Sequence, residues 1–182
     1  MEPAAPSEDL RFPVGRFQPP AKVTAEERRA WIAELAAAPA KFRAAVEGLN
    51  DAQLDTPYRP GGWTVRQVIH HVPDSHLNSY TRFRLALTED NPTIKPYHED
   101  RWAQLADART MPIEVSLVLL ESLHERWVRL LDSMTPEQFA RTFVHPQQNR
   151  TISLDGNLAL YAWHCRHHTA HITKLRERMG WE

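Results

Sequence analysis

Leu160-Tyr161-Ala162-Trp163-His164-Cys165-Arg166-His167-His168-Thr169-Ala170-His171-Ile172, close to the C-terminal end, carries four of the chain's ten histidines. On an α-helix, residues three, four and seven apart share a side, so His164, His167, His168 and His171 form a stripe rather than a scatter. The seam Leu158, Tyr161, Cys165, His168, Ile172, Leu175 and Met179 alternates steps of three and four. That pattern predicts a helix from Ser153 or Leu154 to Met179, stopped by Gly180. At about 100° per residue, His164 flanks His168 in the seam, His171 lies near the rim and His167 points furthest outward. The inward pair is therefore His164 and His168. Two imidazoles at i and i+4 can converge on one cation, and a third ligand from another element leaves positions open for water or substrate. The alternative is a pair of structural histidines, each costing about 1–3 kcal/mol if buried without a partner.

The rest of the chain supplies helices for that one to pack against. Thr64, with Gln67 three residues on, is a capping box that opens a helix running to about Thr88. Val65, Ile69, Val72, His76, Tyr80, Phe83 and Leu87 follow its apolar stripe. Thr64, Gln67, His71, Asp74, Ser75, Asn78 and Arg82 trace a polar one, which suits either a wet cleft or bulk solvent. Pro73 removes a helical hydrogen bond and predicts a kink. The third ligand comes from this helix, with His70, His71 and His76 as candidates; periodicity makes His76 the most buried.

Thr24 and Glu27 form another capping box, followed by an apolar face of Trp31, Leu35, Phe42, Val46 and Leu49, with Pro39 expected to bend or split the helix. Residues 50–63 read as turns. Residues 90–111 form a link longer than bundles usually need. A third helix starts near Pro112 on a face of Val115, Leu119, Leu123, Trp127 and Leu130. Thr135-Pro136-Glu137-Gln138 starts a short helix. The segments 142–145 and 150–152 then make a small hairpin or an irregular loop. Residues 1–22, with five prolines, form an extended arm ahead of a single helical domain over 23–182. Leu10, Phe12, Val14 and Phe17 are its anchors, either on its own domain or on a neighbouring subunit.

A formal net charge of -1 gives no electrostatic reason to expect nucleic acid or a membrane surface as partner, so a small-molecule substrate is the default. The single cysteine, Cys165, sits in the apolar seam as an inert thiol. No signal-peptide pattern and no apolar run of roughly 20 residues is present, which predicts a soluble, cytoplasmic protein. His98, His124 and His145 stand alone and read as ordinary histidines.

Trp63-Thr64-Val65-Arg66-Gln67-Val68-Ile69-His70-His71-Val72, followed by the histidine stripe, resembles the DinB superfamily. Phe12-Pro13-Val14-Gly15 and Tyr58-Arg59-Pro60-Gly61-Gly62-Trp63 extend the likeness, which is strongest to its YfiT-type branch of metal-dependent hydrolases and bacillithiol S-transferases. The resemblance implies an all-α, four-helix bundle with an up-down-down-up course, the link at 90–111 serving as crossover. It further implies a homodimer, a divalent metal that is nickel or zinc, and the ligand set His71, His164 and His168, which decides against His76. Pro73 departs from the family pattern two residues past His71. The expected chemistry is transfer of a low-molecular-weight thiol to an electrophile, or hydrolysis by activated water. Asp74 and His167 are polar neighbours, and no residue is assigned as general base. A metal held only for stability would need a fourth protein ligand such as His76 or Asp74.

Overall fold

The computed structural model describes residues 9–181, so Pro3 and Pro6 of the arm lie outside the described residues. Four long helices build the body: α1 (Ala25–Val46), α3 (Val65–Thr88), α6 (Glu114–Asp132) and α8 (Leu154–Met179). Between them lie the short helices α2 (Asp51–Leu54), α4 (Glu99–Trp102), α5 (Ala106–Thr110) and α7 (Pro136–Phe139), and a hairpin of β1 (Thr142–His145) and β2 (Arg150–Ser153).

Side-chain pairs fix the directions. Leu35 meets His124 while Arg43 meets Glu114, so α1 and α6 run antiparallel. His70 meets Ser116 and His76 meets His124, so α3 and α6 run parallel. Ser75 meets Tyr161 and Ser79 meets Asn157, so α3 and α8 run antiparallel. Arg28 pairs with Asp155 and Arg176 with the Ala45 carbonyl, so α1 and α8 run parallel. The course is up-down-down-up, as the resemblance implies. Two successive helices can run parallel only if a long segment returns the chain, which is the task of residues 89–113. That link is pinned where Thr93 bridges Val144, and it contains two short helices that the sequence did not announce.

The predicted capping boxes at Thr24 and Thr64 close, and the helix starts expected at Thr135 and Ser153 are also capped, each side chain accepting from the N–H three residues on. Asn50 adds a further box, turning part of the expected turn region into α2. The hairpin alternative holds at 142–153, closed by Asn149 in the left-handed region (φ 48°), which asparagine tolerates. Gly180 stops α8 at φ 64°.

α1 continues through Pro39, which therefore does not split it, and α3 continues through Pro73. Pro39 has no N–H for the carbonyl of Leu35, and His124 Nδ1 takes that acceptor instead at 2.6 Å. The buried seam of α6 is Ser116, Leu117, Leu120, Leu123, His124, Trp127 and Leu131, while Val115 and Leu119 face outward. Leucine and valine occur around most of this helix, so apolar spacing alone admits two seams, and the one with polar members is the one that packs. At its centre Trp127 is fully buried, edge-on to Phe83, Tyr161, His124 and His76 at centroid distances of 5.5–5.9 Å.

Candidate metal centre

α3 and α8 cross at their histidines. His71 from α3 and His164 and His168 from α8 each bring one ring nitrogen within 4.8 Å of the others. Their ring centroids lie 5.4 Å (His71 to His164), 4.9 Å (His71 to His168) and 4.3 Å (His164 to His168) apart. His71 and His168 are buried, and His164 is partly open to a cavity of about 950 Å³ that all three line. Part of the polar stripe of α3 faces this cavity: His71, Ser75 and Arg82 line it and are buried, while Gln67 is buried against the Ala103 carbonyl.

Burial disfavours the charged form of an imidazole. It holds His71 down at about 3, with the nearby His167 adding to the effect. Burial, then the surrounding histidines, hold His164 and His168 well below the ordinary value. All three rings are neutral near pH 7 and each keeps a lone pair for a cation.

Two hydrogen-bond chains determine where that lone pair sits. The Leu35 carbonyl can only accept, so His124 Nδ1 donates to it and His124 Nε2 is left as acceptor. His76 Nδ1–H donates to His124 Nε2 at 2.6 Å, and His164 Nδ1–H donates to His76 Nε2 at 3.0 Å. His164 is left with a bare Nε2. On the other side the Arg11 carbonyl accepts from His171 Nε2–H at 3.2 Å, and His171 Nδ1 faces His168 Nδ1 at 3.3 Å. By the same parity His168 donates through Nδ1 and keeps its lone pair on Nε2. Each chain ends on a backbone carbonyl, one freed by Pro39 and one supplied by the arm, and such outer partners set ligand tautomer and orientation.

The three candidates on α3 thus separate. His70 is spent on Ser116 (2.7 Å) and the Met111 carbonyl (3.1 Å). His76, fully buried, uses both nitrogens on other histidines. His71 alone meets the α8 pair among these three. A second trio, His167, His168 and His171, also comes within 4.8 Å, but it draws on one helix only and shares His168.

Several expectations are corrected here. His167 and His171 are not at the outside: the arm covers them, with Phe12 5.9 Å from His167 and the Arg11 carbonyl on His171. Trp163 stacks on His167 at 4.3 Å, Tyr58 on His171 at 3.9 Å, and Trp63 packs on His71 at 4.7 Å, so an aromatic ring backs each of these three histidines. Of the arm's anchors Phe12 and Phe17 thus seat on their own domain, against His167 and Trp163, while Val14 is exposed; Trp163 Nε1 also donates to the Gly15 carbonyl. Asp74 does not line the cavity; burial and then Asp107 push its carboxyl up to about 6. His124 and His145 are not isolated: both are buried, one in the chain to His164 and one lining the cavity. Burial pushes the Cys165 thiol up to about 12, in keeping with an inert core residue.

The residues present suit a divalent cation: three neutral imidazoles, two of them with a bare Nε2, converge at a cavity with space for further ligands. No helix among the described residues is long and apolar enough to cross a membrane.

Comparison with known proteins agrees with this geometry. The chain is 56% identical over 173 residues to a protein of Bacillus mycoides (strain KBAB4) named "Putative metal-dependent hydrolase", covering 95% of this chain and 99% of the relative. A protein of the same name from Bacillus cereus (strain 03BB102) matches to the same extent. The solved structure of YfiT from Bacillus subtilis, described as "a probable metal-dependent hydrolase with an unusual four-helix bundle topology", superposes with a TM-score of 0.94. It is 51% identical, with 95% of this chain and 99% of that chain covered. The four-helix bundle protein TT2238 shares the fold at 21% identity and a TM-score of 0.54, over 82% of this chain and 98% of that one. The DinB superfamily model matches residues 34–172, most of the chain, and the protein belongs to the DinB superfamily.

Proposed function

We propose that this chain is a metal-dependent enzyme acting on a small molecule, with His71, His164 and His168 as the three protein ligands. The observation that carries the reading is the convergence of three neutral imidazoles, two of them buried and one partly open, at the wall of a cavity of about 950 Å³. A nickel or zinc ion held by three uncharged ligands keeps its full charge and acidifies a bound thiol or a bound water. His71 binds across the bundle, while His164 and His168 bind from one helix face, their tautomers held by His76 and His171. Tyr58, Trp63, Trp163 and Phe12 pack against the histidine rings.

The leading reaction is transfer of a low-molecular-weight thiol, such as bacillithiol, to an electrophilic substrate. Among the described residues no carboxylate belongs to either histidine cluster, Glu99 and Asp100 lining the cavity outside them, and a thiolate formed by coordination to the metal needs no base at the cluster. The cavity is also large enough for two small reactants. The second reading is hydrolysis, favoured by the names of the relatives. Incubation of metal-loaded protein with monochlorobimane and a panel of thiols, bacillithiol included, separates them. Metal-dependent conjugate formation is expected; its absence with every thiol removes the transferase reading and leaves hydrolysis. A homodimer remains part of the proposal. Val115, Val118 and Leu119 give α6 an exposed apolar strip suited to it, and sedimentation velocity decides the matter.

A further inference from the structure

Arg82 is a buried arginine on α3 that forms no ion pair with any described residue. Only 9% of it is exposed, yet it makes no hydrogen bond or ion pair with any described residue. Arg66 on the same helix shows what the fold does elsewhere: at 5% exposure it holds Asp55 at 2.7 Å, Asp51 at 2.9 Å and the Met111 carbonyl at 3.1 Å. Arg28 likewise grips Asp155 through two bonds of 2.8 Å. The guanidinium nitrogens of Arg82 are not among the buried atoms left without a partner, and the residue lines the cavity, so its charge is within reach of an anion there.

The surroundings of Arg82 point to where such an anion would sit. Arg82 lines the same cavity as the three candidate ligands. His71, Ser75 and Arg82 stand at i, i+4 and i+11 on one face of α3, so Arg82 lies about 16 Å along the axis from His71. Helical side chains lean toward the N-terminus, which shortens that span. Opposite Arg82 the hairpin contributes His145, which is 7% exposed, lines the cavity and has a buried Nδ1 with no hydrogen-bond partner. The two are close: after burial, the charge of Arg82 is the next cause holding His145 below its ordinary value. Gln147 and Gln148 at the hairpin tip line the same cavity with neutral amides, and Tyr97 and Tyr161 are uncharged neighbours. Glu99 and Asp100 also line the cavity, and Glu99, like Arg82, lies near Tyr97 and Tyr161.

We propose that Arg82 and His145 form an anion subsite three helical turns from His71, and that the substrate or thiol carries a carboxylate or phosphate besides its reacting group. The guanidinium supplies a fixed charge and a planar fork of donors suited to either anion. His145 supplies a neutral N–H donor from the facing hairpin. The subsite orients the molecule lengthwise, its anionic end on the hairpin side and its reacting end at the three histidines. This deepens the reading of the cavity as a small-molecule site and rests on it.

The test uses the full chain, with and without zinc, and three probes: succinate, inorganic phosphate and the uncharged dimethyl succinate. Binding is followed by calorimetry and by the Arg82 Nε–H resonance. Succinate or phosphate is expected to bind and to shift that resonance while dimethyl succinate does neither, and the tighter of the two anions identifies the group preferred. Arg82→Gln is expected to weaken anion binding at least about tenfold, Arg82→Lys less, and His145→Phe several-fold, all with zinc stoichiometry unchanged. If neither anion moves the Arg82 resonance of the wild type, or if Arg82→Gln binds them as the wild type does, the subsite is wrong. Anion binding in a protein that takes up no zinc would sink the metal reading and leave the subsite; zinc uptake without anion binding would do the reverse.

Discussion

Replacing His76 by phenylalanine removes the group on which the Nδ1–H of His164 is spent. In the intact protein that bond is 3.0 Å long, and His76 is in turn held by His124 at 2.6 Å. Without it the two neutral tautomers of His164 approach equal energy, and the one protonated at Nε2 has no lone pair to offer the site. Loss of an outer partner to a metal histidine weakens binding about 10–100-fold, or roughly 1.4–2.7 kcal/mol. Zinc affinity is read by competition against a chromophoric chelator near neutral pH, and the tautomer of His164 from its ring nitrogen shifts in the metal-free protein. His76→Gln, which restores an acceptor, is expected to recover most of the affinity. His70→Asn, at a ring bonded to Ser116 and Met111, is expected to leave it unchanged. Wild-type affinity in His76→Phe would refute the tautomer chain. A loss of several thousand-fold would make His76 a direct ligand.

Three further outcomes follow from the same structure. Trp127→Ala empties the centre of the bundle and is expected to cost about 3–5 kcal/mol in urea unfolding; a loss below about 1 kcal/mol would contradict the central packing. Metal-free protein is expected to lose stability steeply as the pH falls below about 6.5. Unfolded histidines take up protons there, whereas burial delays His71 and His171 to about 3 and His124 and His167 to about 4, so the unfolded state binds more protons. Asp74, raised to about 6, takes up its proton earlier when folded and offsets one of the four. Burial also holds His76, His164 and His168 well below their ordinary value, so the net slope is at least roughly 4 kcal/mol per pH unit against a total stability of about 5–15 kcal/mol; a stability flat between pH 7 and 5 would refute it. Removing residues 1–17 is expected to free the His171 Nε2–H from the Arg11 carbonyl and weaken zinc binding about tenfold, and unchanged affinity would place the arm outside the site.

Much of this arrangement was legible in the residues, and the losses have physical causes. The caps at Thr24, Thr64, Thr135 and Ser153 and the stop at Gly180 are local chemistry, and so were readable. That His164 and His168 share one side followed from helical period alone, whereas His71 over His76 needed the family likeness, since burial favoured the residue that packs among histidines. The link to His124 was hidden because α6 is apolar on most of its surface and two seams fit. A signal was available in Pro39: a proline within a helix orphans the carbonyl four residues earlier, and a buried donor has to find it. His167 and His171 were placed outward because period describes an isolated helix and says nothing of an arm folded over it. Arg82 appeared in the polar stripe of α3, but only the fold distinguishes an arginine facing a cavity without a partner from one in solvent.

The metal content of the purified protein bears hardest on all of this. Wild-type chain loaded with zinc or nickel and then desalted is expected to retain one equivalent per chain, and the double variant His164→Ala/His168→Ala essentially none while keeping its helical circular dichroism. His71→Ala is expected to fall between them. Equal, substoichiometric metal in wild type and double variant would contradict the assignment of the crossing of α3 and α8 as a metal centre.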